Sequence, residues 1–308
     1  MGGRSQDAYH SIARTTGNWM QAARSKGSEP LSQVARLVRR HDRDRFLAAL
    51  FAPARARESL HALHGFNYEV AKIREVVREP LLGRMRLQWW RDGIAAIYAG
   101  DSVRQHEVLA PLAQAIAAHR LSRVHFDRII DAREADLDDA PPATLDALEA
   151  YAEDTAGPLV LLALEILEVR DGAAAAAGQD AGAAYALAGL LHAVPFHARA
   201  RRLYLPAALI AAQGLDVERS LFALKPAPAL AAIVETVAGR ARARLAAARA
   251  SRRAVPREAL PALLPALIAE RGLKRLAAVG YDPFDAALGR PDGGLSLRLA
   301  WAAWRGRY

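Results

Sequence analysis

Apolar positions recur every three or four residues along most of the chain. That is the period of a helix burying one face. The pattern predicts a helix pair over residues 31–51, then a restart at Pro53, whose fixed φ suits a first helical turn. The next helix runs to Glu79, because the residue before Pro80 is pushed out of helical geometry. Further helices are predicted over 81–98, 103–120, 122–135, 144–168, 182–194, 203–213, 228–251, 256–271 and 295–305. Pro195 is expected to bend or end its helix. Turns are read at Ala99-Gly100-Asp101 and Asp139-Ala140-Pro141-Pro142, and an elbow over 173–177 between Gly172 and Gly178. Period-two runs of β-branched residues are missing, so the fold class is all-α. No unit of about 20 to 50 residues recurs, which excludes a solenoid. One helical domain is expected over 29–308. Residues 1–28 read as a flexible basic lead-in that could also pass for a transit peptide.

Composition narrows the function classes. Of 308 residues, 52% are apolar and 24% charged, a globular balance that excludes disorder over most of the chain. With no Cys, a disulfide scaffold, a thiolate metal site and a cysteine nucleophile are excluded, and a reducing compartment fits. No uncharged stretch offers the ~18–20 strongly apolar residues of a spanning helix. Lys+Arg number 42 against 33 Asp+Glu, a net charge of +9, and the only lysines are Lys26, Lys72, Lys225 and Lys274. Arginine's planar fork matches phosphate and carboxylate, so anionic partners are favoured. Nucleic acid is not expected, since the Arg runs lack aromatic stacking platforms or a reading motif.

Five stretches in order carry a family resemblance. They are "RDRFLAALFAPARARESLHALHGFN" (43–67), "EPLLGRMRLQWWRDGI" (79–94), "YAEDTAGPLVLLALEIL" (151–167), "AGAAYALAGLLHAVPFHARARRLYLPAALI" (181–210) and "WAAWRGRY" (301–308). Together they resemble the squalene/phytoene synthase family over nearly the whole chain. The resemblance implies a single-domain bundle of the isoprenoid (trans-prenyl) synthase type around a central apolar cavity. Active members join two prenyl diphosphates head to head, using two facing Asp-rich motifs. Two Asp at i and i+4 share a helix face. Such pairs bridge Mg²⁺ to diphosphate oxygens, and the metal stabilises the leaving group.

Those carboxylates are missing here. Ala71 and Lys72 stand where the first motif's paired Asp would fall, and Glu75 is the only acid kept. At the second motif Ala193 and His197 replace the acids. Ala is no ligand, and a neutral imidazole is a poor one for Mg²⁺. The wording of the motifs resembles a divergent branch, the mitochondrial respiratory complex I assembly factor and its bacterial relatives. That resemblance implies a non-catalytic protein acting by binding, as an assembly factor for complex I (NADH:ubiquinone oxidoreductase). The implied partners are a complex I subunit or assembly intermediate, with a prenyl lipid or an anionic membrane surface besides. A cytoplasmic location is expected, peripheral at the inner membrane, on the matrix side if mitochondrial. No catalytic residue, metal or cofactor is expected. The alternative is a Mg²⁺-dependent head-to-head prenyltransferase on farnesyl or geranylgeranyl diphosphate, in isoprenoid, carotenoid or hopanoid synthesis. A third reading is a prenyl-lipid-binding protein.

On this reading the ligand pocket comprises Phe66, Asn67, Ala71, Glu75, Arg78, Gly189, Ala193, His197, Arg199, Arg202 and Tyr204. Asn67, Ala71, Glu75 and Arg78 share one helix stripe, although Glu75 would also suit a local pair with Arg74 or Arg78. Arg199, Arg201 and Arg202 suit an anionic head group or a solvated surface. His106, His125, His192 and His197 read as ordinary hydrogen-bonded histidines. The run Arg240, Arg242, Arg244, Arg249, Arg252 and Arg253 is expected to face a partner or membrane, and the acidic segment 131–139 to be solvated. Trp301, Trp304 and Tyr308 form an aromatic stripe, either core packing or an interface anchor.

Overall fold

Residues 31–77, 79–290 and 293–308 are described by a computed structural model, and their regular structure is entirely helical. The α-helices are α1 (Gln33–His41), α2 (Arg43–Ala49), α3 (Ala54–Ala71), α4 (Ile73–Val76), α5 (Pro80–Ala99), α6 (Leu109–His119), α7 (Arg123–Ala132), α8 (Leu145–Ile166), α9 (Gly172–His192), α10 (Val194–Arg199), α11 (Ala207–Gln213), α12 (Pro228–Ala250), α13 (Leu260–Leu263), α14 (Pro265–Ala278) and α15 (Leu295–Arg305). A 3₁₀ segment, Arg133–Leu137, follows α7. The expected lead-in over 1–28 lies outside the described residues, as does Arg78.

The centre is the α8–α9 pair, with α7, α12 and α14 packed around it. Small residues let these backbones approach. A Cβ added at Gly182 would lie 2.7 Å from the Ala156 carbonyl oxygen of α8. Ala174, Ala177, Ala181 and Ala184 bury the rest of that face. On the other side of α8, Phe66 meets Trp90 and Phe126 edge to face, both at 5.3 Å between centroids, a geometry that aromatic quadrupoles favour.

Local chemistry moves several boundaries. The 173–177 elbow is instead the first turns of α9: Asp171 caps it by accepting from the Ala174 N–H at 2.8 Å, and Ala continues helix at the least cost of any residue. The helix expected from 103 starts only at Leu109, because the His106 ring nitrogen accepts the Val108 and Leu109 N–H groups as a cap. The helix predicted through Glu79 breaks at Lys72, where the Glu75 and Val76 N–H groups both turn back to its carbonyl. Pro195 does mark a break: α9 ends at His192 and Pro195 opens the first turn of α10. Gly100 closes α5 at φ 76°, a left-handed position open to glycine. Among the described residues, no helix is long and apolar enough to cross a membrane.

The Arg run of α12 turns partly inward, unlike the expected outward face. Arg240 bonds Asp146 and Glu149, and Arg244 bonds Glu149, Glu153 and Asp180. These pairs fasten α12 to α8 and α9.

Candidate functional site

A cavity of about 850 Å³ opens between the ends of α1, α3 and α4, the 3₁₀ segment, α8, α9 and the stretch from α10 to Tyr204. It is wide because part of its wall is small: Ala71, Ala156, Ala186, Gly189 and Ala193 all line it. A Cβ at Gly189 would meet nothing within 4 Å.

One end is a polar network centred on Asp136, in which the buried Arg133 Nε has no hydrogen-bond partner among the described residues. The Asp136 carboxylate accepts from Tyr151 Oη at 2.6 Å, Tyr204 Oη at 3.1 Å and Arg133 Nη1 at 3.1 Å. Arg133 also donates to Tyr151 Oη at 2.8 Å. Burial, with the Asp136 charge beside it, pushes the Tyr204 hydroxyl up; burial does the same to Tyr151. Both phenols therefore stay protonated and donate. At the far side Arg45 bonds Asp42 at 2.7 Å and lies over the Tyr185 ring at 4.6 Å. Burial opposes ionisation of Asp42, yet the Arg45 guanidinium, by its charge and hydrogen bond, reverses it and holds the carboxyl below its usual range.

His197 stands between these regions. Its ring lies 4.5 Å from that of Tyr204, and its buried Nδ1 has no protein partner. Burial and the Arg202 guanidinium press its pKa down to about 4, so the imidazole is neutral at pH 7. Six arginines line the cavity against the three carboxylates of Asp42, Glu75 and Asp136. Arg45, Arg74, Arg133 and Arg201 are already ion-paired, so an anionic or hydroxyl-bearing guest would be met chiefly by Arg199 and Arg202.

Nine of the expected pocket residues line this cavity: Asn67, Ala71, Glu75, Gly189, Ala193, His197, Arg199, Arg202 and Tyr204. Phe66 does not, and that expectation is corrected. It is fully buried against Trp90 and Phe126, because the residue next to Asn67 points about 100° away around α3. Glu75 is exposed, at the mouth. Sequence reasoning missed Asp136, Arg133 and Tyr151 at one end and Asp42, Arg45 and Tyr185 at the other. The acidic segment 131–139 is not uniformly solvated: Asp131 pairs with Arg91 outside, while Asp136 is 6% exposed and faces the cavity. An apolar Leu137 set between Asp136 and Asp138 is the one hint that the sequence carried.

Magnesium does not find ligands at the positions where the resemblance would put it. Ala71 and Ala193 offer no donor atom, the Lys72 ammonium pairs with Glu69 at 2.5 Å, and His197 brings one neutral nitrogen. Among the described residues, no three His, Asp or Glu are grouped to share a metal.

The sequence profile of the squalene/phytoene synthase family matches residues 38–305. This chain belongs to that family. It is 35% identical over 272 residues to a Bos taurus protein named NADH dehydrogenase (ubiquinone) complex I, assembly factor 6, covering 88% of this chain and 81% of that one. The Homo sapiens protein of that name is 32% identical with the same coverage. A presqualene diphosphate synthase of Rhodopseudomonas palustris is 29% identical over 55% of this chain and 61% of its own length. Among solved structures, a dehydrosqualene synthase in complex with ligand superposes with a TM-score of 0.76 at 18% identity, covering 88% of this chain and 94% of that one. A squalene synthase from Alicyclobacillus acidocaldarius gives 0.70 at 22%, covering 81% and 94%. At those identities the likeness carries the fold, which is the all-α isoprenoid synthase type. In this chain Ala71, Ala193 and His197 line the cavity at the positions where the family resemblance placed paired carboxylates.

Proposed function

We propose that this squalene/phytoene synthase family member is an assembly factor for respiratory complex I that acts by binding, not by prenyl transfer. The carrying observation is the cavity wall: Ala71, Ala193 and His197 line it where paired carboxylates would be needed, and Asp136 is already engaged by three donors. The names of relatives that match over most of both lengths support the same reading. The cavity then serves as a pocket for a guest with an isoprenoid or otherwise apolar body and a polar or anionic head. Its head would meet the arginines and the His197 nitrogen. The partner would be a complex I subunit or assembly intermediate, met at the inner membrane surface.

Two measurements test this. Removing the protein from its source organism should lower assembled complex I on native gels and NADH:quinone activity in membranes, with both restored by re-expression. Purified protein given farnesyl or geranylgeranyl diphosphate, Mg²⁺ and NADPH should release no diphosphate. Unchanged complex I would overturn the assembly role, and hydrocarbon product would establish the prenyltransferase alternative instead.

A further inference from the structure

The C-terminal helix α15 presents two unlike faces. Leu299 and Ala302 are buried against the bundle. On the opposite face Leu297, Trp301 and Trp304 are 77%, 55% and 74% exposed. Their spacing, i, i+4 and i+7, makes one continuous stripe, and Ala300, also exposed, extends it. Two exposed tryptophans and a leucine in a row exceed the single surface apolars that need no explanation.

Charge decides what covers this stripe. Residues 293–308 contain Arg298, Arg305 and Arg307 and no Asp or Glu. All three arginines are exposed, and the Arg305 guanidinium lies over the Trp301 ring at 4.3 Å and near Trp304 at 5.9 Å. The positive field continues onto α14, where burial and then the charges of Arg298 and Arg275 hold the Arg271 guanidinium below its ordinary range. A second copy would set this cationic face against itself. Residues 1–30 are basic as well, with Arg4, Arg14, Arg24 and Lys26 against Asp7 and Glu29. The complement is an anionic surface that also accepts indole rings. Tryptophan prefers the headgroup level of a bilayer, arginine attracts anionic lipid, and a helix too short to span lies flat along that interface.

We propose that α15 is a membrane-docking helix, with Leu297, Trp301 and Trp304 entering the headgroup boundary of an anionic bilayer and Arg298, Arg305 and Arg307 pairing with lipid phosphates. The assignment rests on the helix alone and holds whether or not the cavity binds a guest.

The test is flotation of the full chain with phosphatidylcholine vesicles, with and without about a third phosphatidylglycerol. Wild type should float with the anionic vesicles only, and added salt should weaken it. W301Q/W304Q should lose binding at least about ten-fold while keeping its thermal midpoint, because both rings are exposed. The chain has no native Cys, so Ala300→Cys takes a single environment-sensitive dye. Its emission should shift to the blue on anionic vesicles. Wild type left unbound at both compositions, a double variant floating like wild type, or a dye that stays in water would each overturn the proposal. So would a stable dimer that the double substitution splits while vesicle binding is unchanged.

Discussion

Asp136 shows how one side chain fixes the character of the cavity. It is 6% exposed and holds three donors, so removing it leaves the Arg133 charge uncompensated. Asp136→Ala should cost about 3–5 kcal/mol in urea unfolding. Asp136→Asn, which keeps acceptor capacity on one oxygen, should cost less. Among the described residues, burial holds five histidines below their usual range, and His64 and His197 are shifted furthest. Burial and Arg45 press His64 down to about 3, and burial and Arg202 press His197 down to about 4. Both are neutral in the fold, while the unfolded chain protonates them near pH 6.5. Stability present at pH 7 is therefore lost as pH falls from about 6.5 toward 4, with His64 extending the loss toward 3. His197→Phe should flatten the fall of unfolding free energy between pH 6.5 and 5 by about 1–2 kcal/mol, read by urea unfolding at each pH. None of this was readable from composition. The segment 131–139 averages to a solvated acidic run, and a single 3₁₀ turn decides which carboxylate faces inward.

Helices were the most legible element, because Ala-rich runs and regular apolar spacing point the same way. Their ends were not. The break at Lys72 and the late start of α6 depend on particular hydrogen bonds, two of them accepted by the His106 side chain, that no periodicity encodes. The α8–α9 contact gives opposite outcomes for two glycines on the same helix. Gly182→Ala should destabilise by about 1–3 kcal/mol, since its methyl would press on the Ala156 carbonyl. Gly189→Ala has open space and a helical backbone, so it should stabilise by about 0.5–1 kcal/mol. Thermal unfolding of both variants beside wild type measures the contrast. The aromatic stripe near the C-terminus was visible in sequence, but a buried and an exposed stripe share one period. Only the packing shows that Tyr308 turns inward and the two tryptophans outward.

At the scale of the whole molecule, motif order along the chain was enough to anticipate the fold and the family. Of the predicted stripe only Asn67 and Ala71 share a helix, since α3 ends before Glu75, and the cavity residues from Gly189 onward followed from the family motifs. The polar network was beyond reach, because Tyr151 and Tyr204 converge on Asp136 and its neighbour Arg133 from separated parts of the chain.

The replacement of acidic pairs by Ala71, Lys72, Ala193 and His197 has a consequence for the resting protein. Facing carboxylates repel, and a protein that carries them leans on divalent counterions to quiet the repulsion. With Ala71, Ala193 and His197 at those positions, the repulsion is removed, and folding is expected not to depend on metal supply. A site half-filled at 10 µM would add about 2.7 kcal/mol at 1 mM Mg²⁺. The thermal midpoint of this chain should instead be the same in chelator as in millimolar Mg²⁺, and a rise of several degrees would reveal an inner-sphere site. Its competence would then persist through swings in cellular magnesium that disarm a metal-dependent cavity.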